Sequence, residues 1–217
     1  MKVHNLSEKV SVMHQFIAEV RDKHLQRDRL RFRRNMERIG EIMAFEISKE
    51  LSYKEVLTQT VLGEAESKVI EVQPVIATIL RAGLPFHSGF LNMFDKAGNA
   101  FVSAYRRHHK NNMFDVHIDY ISCPTLEDKV LIIADPMLAT GTSMQLACQA
   151  LMAKGKPQHI HFASVIGSRE GVDHIRKHFP GEDITLWLGA MDEELTAQAF
   201  IVPGLGDAGD LSYGEKL

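Results

Sequence analysis

Residues 129–143 read KVLIIADPMLATGTS. Val130, Leu131, Ile132, Ile133 and Ala134 form an unbroken apolar run, which suits a strand covered on both faces, as in the parallel sheet of an α/β layer fold. Asp135 and Pro136 end the run. Ala139 to Thr142 are the small residues of a tight turn, and Ser143 stands where an N-cap belongs, ahead of the helix-spaced Met144, Leu146, Ala147, Ala150 and Leu151. The stretch therefore predicts strand, loop and helix. Such a junction aims backbone N–H groups and the positive end of a helix at one small volume, so it can hold a phosphate without a lysine. Asp135, at the carboxyl end of the strand, is placed for sugar hydroxyls or for a hydrated Mg²⁺, which keeps its waters and takes few carboxylates. On spacing alone, an ordinary βα turn accounts for the same residues equally well.

Upstream, PVIATIL (residues 74–80) is a β-branched apolar strand that runs into Arg81, Ala82, Gly83 and Leu84. The planar fork of Arg81 suits a bidentate grip on a diphosphate. Asn99 to Tyr105 predicts the next strand, and Arg106 opens the polar run RRHHKNN, whose lack of period predicts a mobile loop. Phe114 to Ile121 alternates apolar and polar residues, so it predicts a half-exposed strand returning as a hairpin. A cationic excursion of this kind can close over a polyphosphate and exclude water. Downstream, a strand at His159–Ile166, a helix at Arg169–His178 and a strand at Ile184–Ala190 repeat the alternation. The expected fold is α/β, a mostly parallel sheet wound with helices on both faces. Residues 13–50 carry helical spacing with one polar break and predict two helices, while residues 52–72 are mixed and show no assignable chemistry.

The chain of 217 residues has a net charge of −3, 45% hydrophobic and 24% charged residues. That balance fits one soluble domain and offers no global attraction to nucleic acid. MKVHNLSEKV lacks the apolar core of a signal peptide and no segment reaches bilayer-spanning length, so the cytoplasm is the expected compartment and no membrane partner is expected. The two cysteines, Cys123 and Cys148, lack CxxC spacing and indicate neither disulfide framework nor structural zinc. Arg21, Lys23, Arg27, Arg29, Arg31, Arg33, Arg34 and Arg38 form a basic band with only Asp22, Asp28 and Glu37 as local acids. Without aromatic platforms it reads as a solvated or subunit-contact face before an RNA or anionic-effector site.

Three patterns mislead. GLGDAG at 204–209 is a literal GxGxxG string, but the chain after it leaves no room for the helix, second strand and ribose acid of a dinucleotide unit. His174 and His178 have zinc-capable i, i+4 spacing with Ile175 where a metalloprotease has glutamate; with His108, His109, His159 and His161 they read as packed or solvated side chains, since no convergence is visible. Ser143 has no GxSxG elbow.

ADPMLATGTS (134–143) resembles the 5-phosphoribosyl-1-diphosphate (PRPP) loop of type I phosphoribosyltransferases, and its DPMLATG form resembles the uracil-specific members. ILRAGLP (79–85), IVPGLGDAGD (201–210) and shorter matches at Val20–Lys23 and Met43–Ile47 extend the resemblance over nearly the whole chain. The resemblance implies transfer of a phosphoribosyl group from PRPP to uracil, giving UMP and diphosphate, with Mg²⁺ carried by PRPP and no direct protein ligand to the metal. It implies a catalytic set of Asp135, Arg81, Arg106 and Asp207. Arg81 and Arg106 would hold the diphosphate and Asp135 the ribose hydroxyls. Pro136, Met137, Leu138, Ala139, Thr140, Gly141, Thr142 and Ser143 would form the PRPP loop, with backbone N–H groups from Ala139 to Ser143 and the Thr140 and Ser143 hydroxyls on the 5-phosphate. Ile201, Gly206, Asp207 and Ala208 would contact uracil, Asp207 also reaching the PRPP side.

The implied layout is a single domain, 1–217, with N-terminal helices (1–50), a mobile loop and hairpin (106–121) and a base-recognition hood (191–217). A homodimer or higher homo-oligomer, and GTP as an effector, are further implications. The chain departs from the family pattern at three places. Thr142 replaces a common second glycine, which costs energy wherever positive φ is required. Arg107-His108-His109-Lys110 is basic where relatives tend to be acidic, and Phe200 replaces a tyrosine. Two other readings of the same fold are a pyrimidine-sensing, RNA-binding attenuation regulator and a catalytically silent nucleotide-binding module.

Overall fold

The alternation within residues 130–134 sets the architecture: Leu131 and Ile133 face one apolar cluster, Ile132 and Ala134 another. The structure is a computed structural model that describes residues 1–108, 114–181 and 183–216. Its elements begin with β1 (Lys2–Asn5), α1 (Met13–Arg21), α2 (Arg29–Ser48), β2 (Tyr53–Gln59), β3 (Glu64–Ile70), β4 (Val75–Leu80), α3 (Leu84–Met93), β5 (Gly98–His108) and β6 (Phe114–Ser122). They continue with β7 (Val130–Ala134), β8 (Met137–Leu138), α4 (Thr142–Met152), β9 (His159–Ser168), α5 (Arg169–His178), β10 (Ile184–Asp192), β11 (Glu194–Leu195), β12 (Ile201–Val202) and α6 (Ala208–Tyr213).

The main sheet runs β1-β10-β9-β7-β4-β5-β6, with β8 beside β9. Every pairing in it is parallel except the antiparallel pair β5–β6. On one face Met36, Ile39 and Met43 of α2 and Phe86 and Phe90 of α3 pack with Ile76 and Ile132. On the other, Met144, Ala147 and Leu151 of α4 and Val172 and Ile175 of α5 pack with Ala77, Leu131, Ile133 and Phe162. The sheet is thus buried on both sides, which is why its strands read as continuous apolar runs rather than alternating ones. Each such fully buried aliphatic side chain contributes about 1.5–3 kcal/mol.

Several segments differ from the sequence expectation. Lys2–Asn5 is an edge strand on β10; four residues are too few for a period to show. Residues 53–70 form an antiparallel hairpin with Val61 and Leu62 at its tip, 99% and 98% exposed. No face of it is buried by the main body, so its sequence carries no alternation. Arg106 does not open a loop: β5 runs on to His108, and Arg106 pairs with Val116 of β6. The mobile-loop expectation for residues 109–113 lies outside the described residues. After Asp207 the chain does find room for a helix, the six-residue α6, although nothing like a dinucleotide unit follows.

Two cations of the basic band, Arg21 and Arg31, pair with acids outside it, Asp192 and Glu19. Arg31 grips Glu19 through Nε and Nη2 at 2.9 and 2.8 Å, and Asn35 Nδ2 donates to the same carboxylate at 2.7 Å. These bonds, Arg31 first, hold the Glu19 carboxyl down to about 2. Arg33 donates to Ser212 O at 2.8 Å, and Arg34 pairs with Glu37.

Candidate active site

β4 and β7 are neighbours, with Thr78 opposite Ala134, and Thr78 Oγ1 donates to Ala134 O at 3.2 Å. Parallel pairing sends both strands out at the same edge, so Arg81 and Asp135 emerge side by side. β5 lies on the other flank of β4, with Ser103 opposite Leu80, and Arg106 follows on that strand.

Beyond Asp135, whose side chain is buried, the chain stays attached to β9. Asp135 N donates to Ala163 O at 3.1 Å, Ile166 N donates to Pro136 O at 3.0 Å, and Met137 and Leu138 pair with Ile166 and Gly167 as β8. Ser168 Oγ then donates to Ala139 O at 2.6 Å. Gly141, at φ +81°, turns the chain into α4 and occupies the N-cap. Ser143 is therefore not the cap, as its sequence position suggested. It sits inside the first helical turn, because the glycine makes the corner by backbone conformation and no side chain caps the helix. Thr142 is the first residue of α4; the positive φ belongs to Gly141, so the threonine carries no conformational cost. Thr140 Oγ1 donates to Thr142 Oγ1 at 3.2 Å. Met137, Leu138, Ala139, Thr140, Gly141, Ser143 and Met144 together line a small pocket.

The carboxyl-terminal segment folds over this edge. Asp207 Oδ1 accepts from Gly209 N at 2.8 Å and Asp210 N at 3.0 Å, capping α6. Arg81 Nη2 donates to Asp210 Oδ1 at 3.2 Å and to Gly214 O at 3.1 Å. Ile201 and Ala208 are buried, whereas Gly206, at φ +96°, is exposed. The loops after β4 and β7 and this hood thus meet at one edge of the sheet. Sequence reasoning put Arg21 in a solvated or subunit-contact band and gave Asp192 no role; the structure turns Arg21 inward instead. Arg21 forks onto Asp192 with two 2.8 Å bonds and also donates to Gly204 O at 2.9 Å, while Gly204 N donates to Asp192 at 2.9 Å. This pair ties α1 and the end of β10 to the start of the glycine-rich segment. Its one signal in the sequence was the short match at Val20–Lys23.

A second polar cluster lies at the start of β9, the opposite end of the strand. Glu50, His159 and His161 bring ligand-type atoms within 4.8 Å of one another, a convergence not visible in the sequence. Trp187 Nε1 donates to His161 Nδ1 at 3.1 Å. Neutral His161 therefore carries its proton on Nε2 and presents a donor, not a lone pair. Burial, and after it the neighbouring His159, lower its pKa to about 3, so the ring stays neutral.

A family model described as uracil phosphoribosyltransferase matches residues 7–214. The chain belongs to the uracil phosphoribosyltransferase family. Relatives named uracil phosphoribosyltransferase include one from Porphyromonas gingivalis, 56% identical over 217 residues and covering all of both chains. Another, from Methanothermobacter thermautotrophicus, is 40% identical over 185 residues, spanning 84% of this chain and 83% of its own. Among solved structures, that of the AQ2163 protein from Aquifex aeolicus superposes with a TM-score of 0.86 at 26% identity over 98% of each chain. A hypoxanthine phosphoribosyltransferase from Staphylococcus aureus, at TM-score 0.51 and 16% identity over 85% of this chain and 83% of its own, shares the fold alone. As a member of the uracil phosphoribosyltransferase family, the chain carries the phosphoribosyltransferase sheet. Among the described residues, no helix is long and apolar enough to cross a membrane.

Proposed function

We propose that the chain transfers the phosphoribosyl group of PRPP to uracil, giving UMP and diphosphate. The carrying observation is the adjacency of Arg81 and Asp135 at neighbouring strand ends, beside the small pocket lined by residues 137–141, 143 and 144 and beneath a glycine-rich hood. Breaking the anomeric bond builds positive charge on the ribose and negative charge on the leaving diphosphate. Arg81, with Arg106 on the next strand, would take the diphosphate charge; Asp135 would hold the ribose hydroxyls and face the developing cation. Backbone N–H groups of residues 139–143, at the start of α4, would bind the 5-phosphate. The hood would read uracil's acceptor–donor–acceptor edge with backbone groups near Ile201, Gly206, Asp207 and Ala208.

Mg²⁺ fits this site as a hydrated ion: the edge offers the buried carboxylate Asp135, the other buried one, Asp192, being taken by Arg21, and such an ion needs few protein oxygens. When bound with PRPP it would supply charge neutralisation at the diphosphate. A charged donor and product suit a cytoplasmic enzyme. The hairpin tip at Val61 and Leu62, almost fully exposed, supports assembly into a homodimer or larger homo-oligomer.

The test is to incubate purified protein with PRPP, Mg²⁺ and each of uracil, cytosine, hypoxanthine and orotate, and to identify the nucleotide made. UMP from uracil alone supports the reading, and the same assay with GTP decides whether that nucleotide is an effector. Against the RNA-binding alternative, Arg21 and Arg31 are each engaged by a carboxylate, Asp192 and Glu19, which takes two cations out of the band. RNA retention falling steeply with salt, in the absence of UMP formation, would favour it instead.

A further inference from the structure

We propose that Ser168 is a positioning residue for the donor's 5-phosphate, acting by fixing the direction in which the Ala139–Thr140 peptide presents its N–H. This rests on the reading that residues 139–143 hold that phosphate. The backbone ladder between β8 and β9 ends at Leu138 and Gly167. Ala139 follows with no further rung of that ladder to hold its carbonyl. The next residue of β9 supplies the bond with its side chain: Ser168 Oγ donates to Ala139 O at 2.6 Å and accepts from Gly171 N at 2.9 Å, and the residue is 0% exposed. A hydroxyl has one proton, and here it is committed to the loop while a lone pair caps α5.

The Ala139–Thr140 peptide is trans, since the cis bonds lie at Leu80–Arg81 and Val202–Pro203. In a trans peptide the C=O and the following N–H point in opposite directions. Pinning Ala139 O to Ser168 therefore turns Thr140 N–H away from α5, toward the pocket lined by residues 137–141, 143 and 144. The first turns of α5 back the loop closely. A Cβ on Gly171 would stand 2.5 Å from Ala139 O, and one on Gly141 would stand 3.0 Å from His174 Cδ2. The loop has no slack on that side, so its orientation depends on the one hydroxyl that ties it down.

The test separates this role from helix capping. Ser168→Gly keeps most of the capping preference but removes the bond to Ala139, whereas Ser168→Thr retains the hydroxyl. Inhibition constants are measured for ribose 5-phosphate, which carries the phosphate, and for diphosphate, which occupies the other grip. Ser168→Gly is expected to weaken ribose 5-phosphate and raise KM for PRPP by about tenfold, the value of one buried hydrogen bond. Diphosphate inhibition and KM for uracil should stay as in the unsubstituted protein, and Ser168→Thr should restore ribose 5-phosphate binding. Unchanged ribose 5-phosphate inhibition in Ser168→Gly overturns the inference alone, as does equal weakening of both probes. If the unsubstituted protein makes no UMP, the functional reading falls and the inference with it.

Discussion

Arg81 and Asp210, separated by 129 positions, meet through a 3.2 Å contact between Nη2 and Oδ1. The same guanidinium reaches Gly214 O, so one side chain joins the loop after β4 to both ends of α6 and its exit. Arg81 is exposed, and a contact of this kind contributes only about 0–1 kcal/mol. Its importance lies in which group occupies the fork.

Replacing Arg81 by Lys keeps the charge but loses the planar, two-pronged donor set. Arg81→Lys is expected to lower kcat/KM for PRPP by about 10²-fold, in line with misplacing a reacting group by an ångström. The midpoint of thermal unfolding should barely move. Steady-state kinetics with varied PRPP check the first, and a melting curve the second.

Asp135→Asn removes the negative charge expected to face the ribose without changing shape. Turnover should fall by about 10²–10³-fold, the scale seen when one preorganised electrostatic group is lost. Single-turnover UMP formation measures it; a variant as fast as the parent would exclude Asp135 from that role.

Cytosine reverses two of uracil's three edge polarities. If backbone groups of the hood read that edge, kcat/KM for cytosine should lie roughly 10⁴-fold below that for uracil, because buried partners would be left unpaired. Comparable rates for the two bases would rule out backbone readout.

Asp192→Ala should be costly, because it strands the Arg21 guanidinium and Gly204 N together. Asp192 is 7% exposed, and breaking a buried pair from one side costs about 3–5 kcal/mol. A fall in Tm of roughly 10 °C is expected from calorimetry. The hood is what this pair anchors, so KM for uracil should rise more than KM for PRPP.

The fold should weaken in acid in two stages. Burial, then the neighbouring His159, holds His161 at about 3 against an ordinary 6.5. Below 6.5 the unfolded chain takes up a proton that the native state refuses, so stability declines as pH falls from about 6.5 toward 3 and is unaffected above. Glu19, held at about 2 against 4.5 by Arg31, then Gln15 and Asn35, adds a second loss that begins below 4.5. His161→Gln should lessen the decline in urea-measured stability between pH 6.5 and 5, the remainder coming from His87 and His174, which burial also lowers, while leaving the steeper decline below 4.5 in place.

The central strands were legible because burial on both faces writes itself as a run of Val, Ile, Leu and Ala, uninterrupted at residues 130–134 and broken only by Thr78 at residues 75–80. β1 was not, because four residues are too few to show a period, and neither was the β2–β3 hairpin, whose residues are almost all exposed. The strand, loop and helix of residues 130–152 were found from their residues, but the corner was misplaced. Ser143 has the better capping side chain, yet the backbone freedom of Gly141 decides where α4 begins. The pairings of Arg21 with Asp192 and of Ser168 with Ala139 were not legible as contacts; the match at Val20–Lys23 marked Arg21 without showing its partner. Each joins segments whose proximity exists only after the sheet has ordered them.

The side-by-side exit of β4 and β7 makes the sheet a ruler. Neighbouring strands are spaced by about 4.8 Å wherever they pair, so the separation of the two anchor points is set by backbone geometry and not by the peptides that follow. The loops that follow can therefore be lengthened, shortened or rewritten while the distance between their two starting points stays fixed.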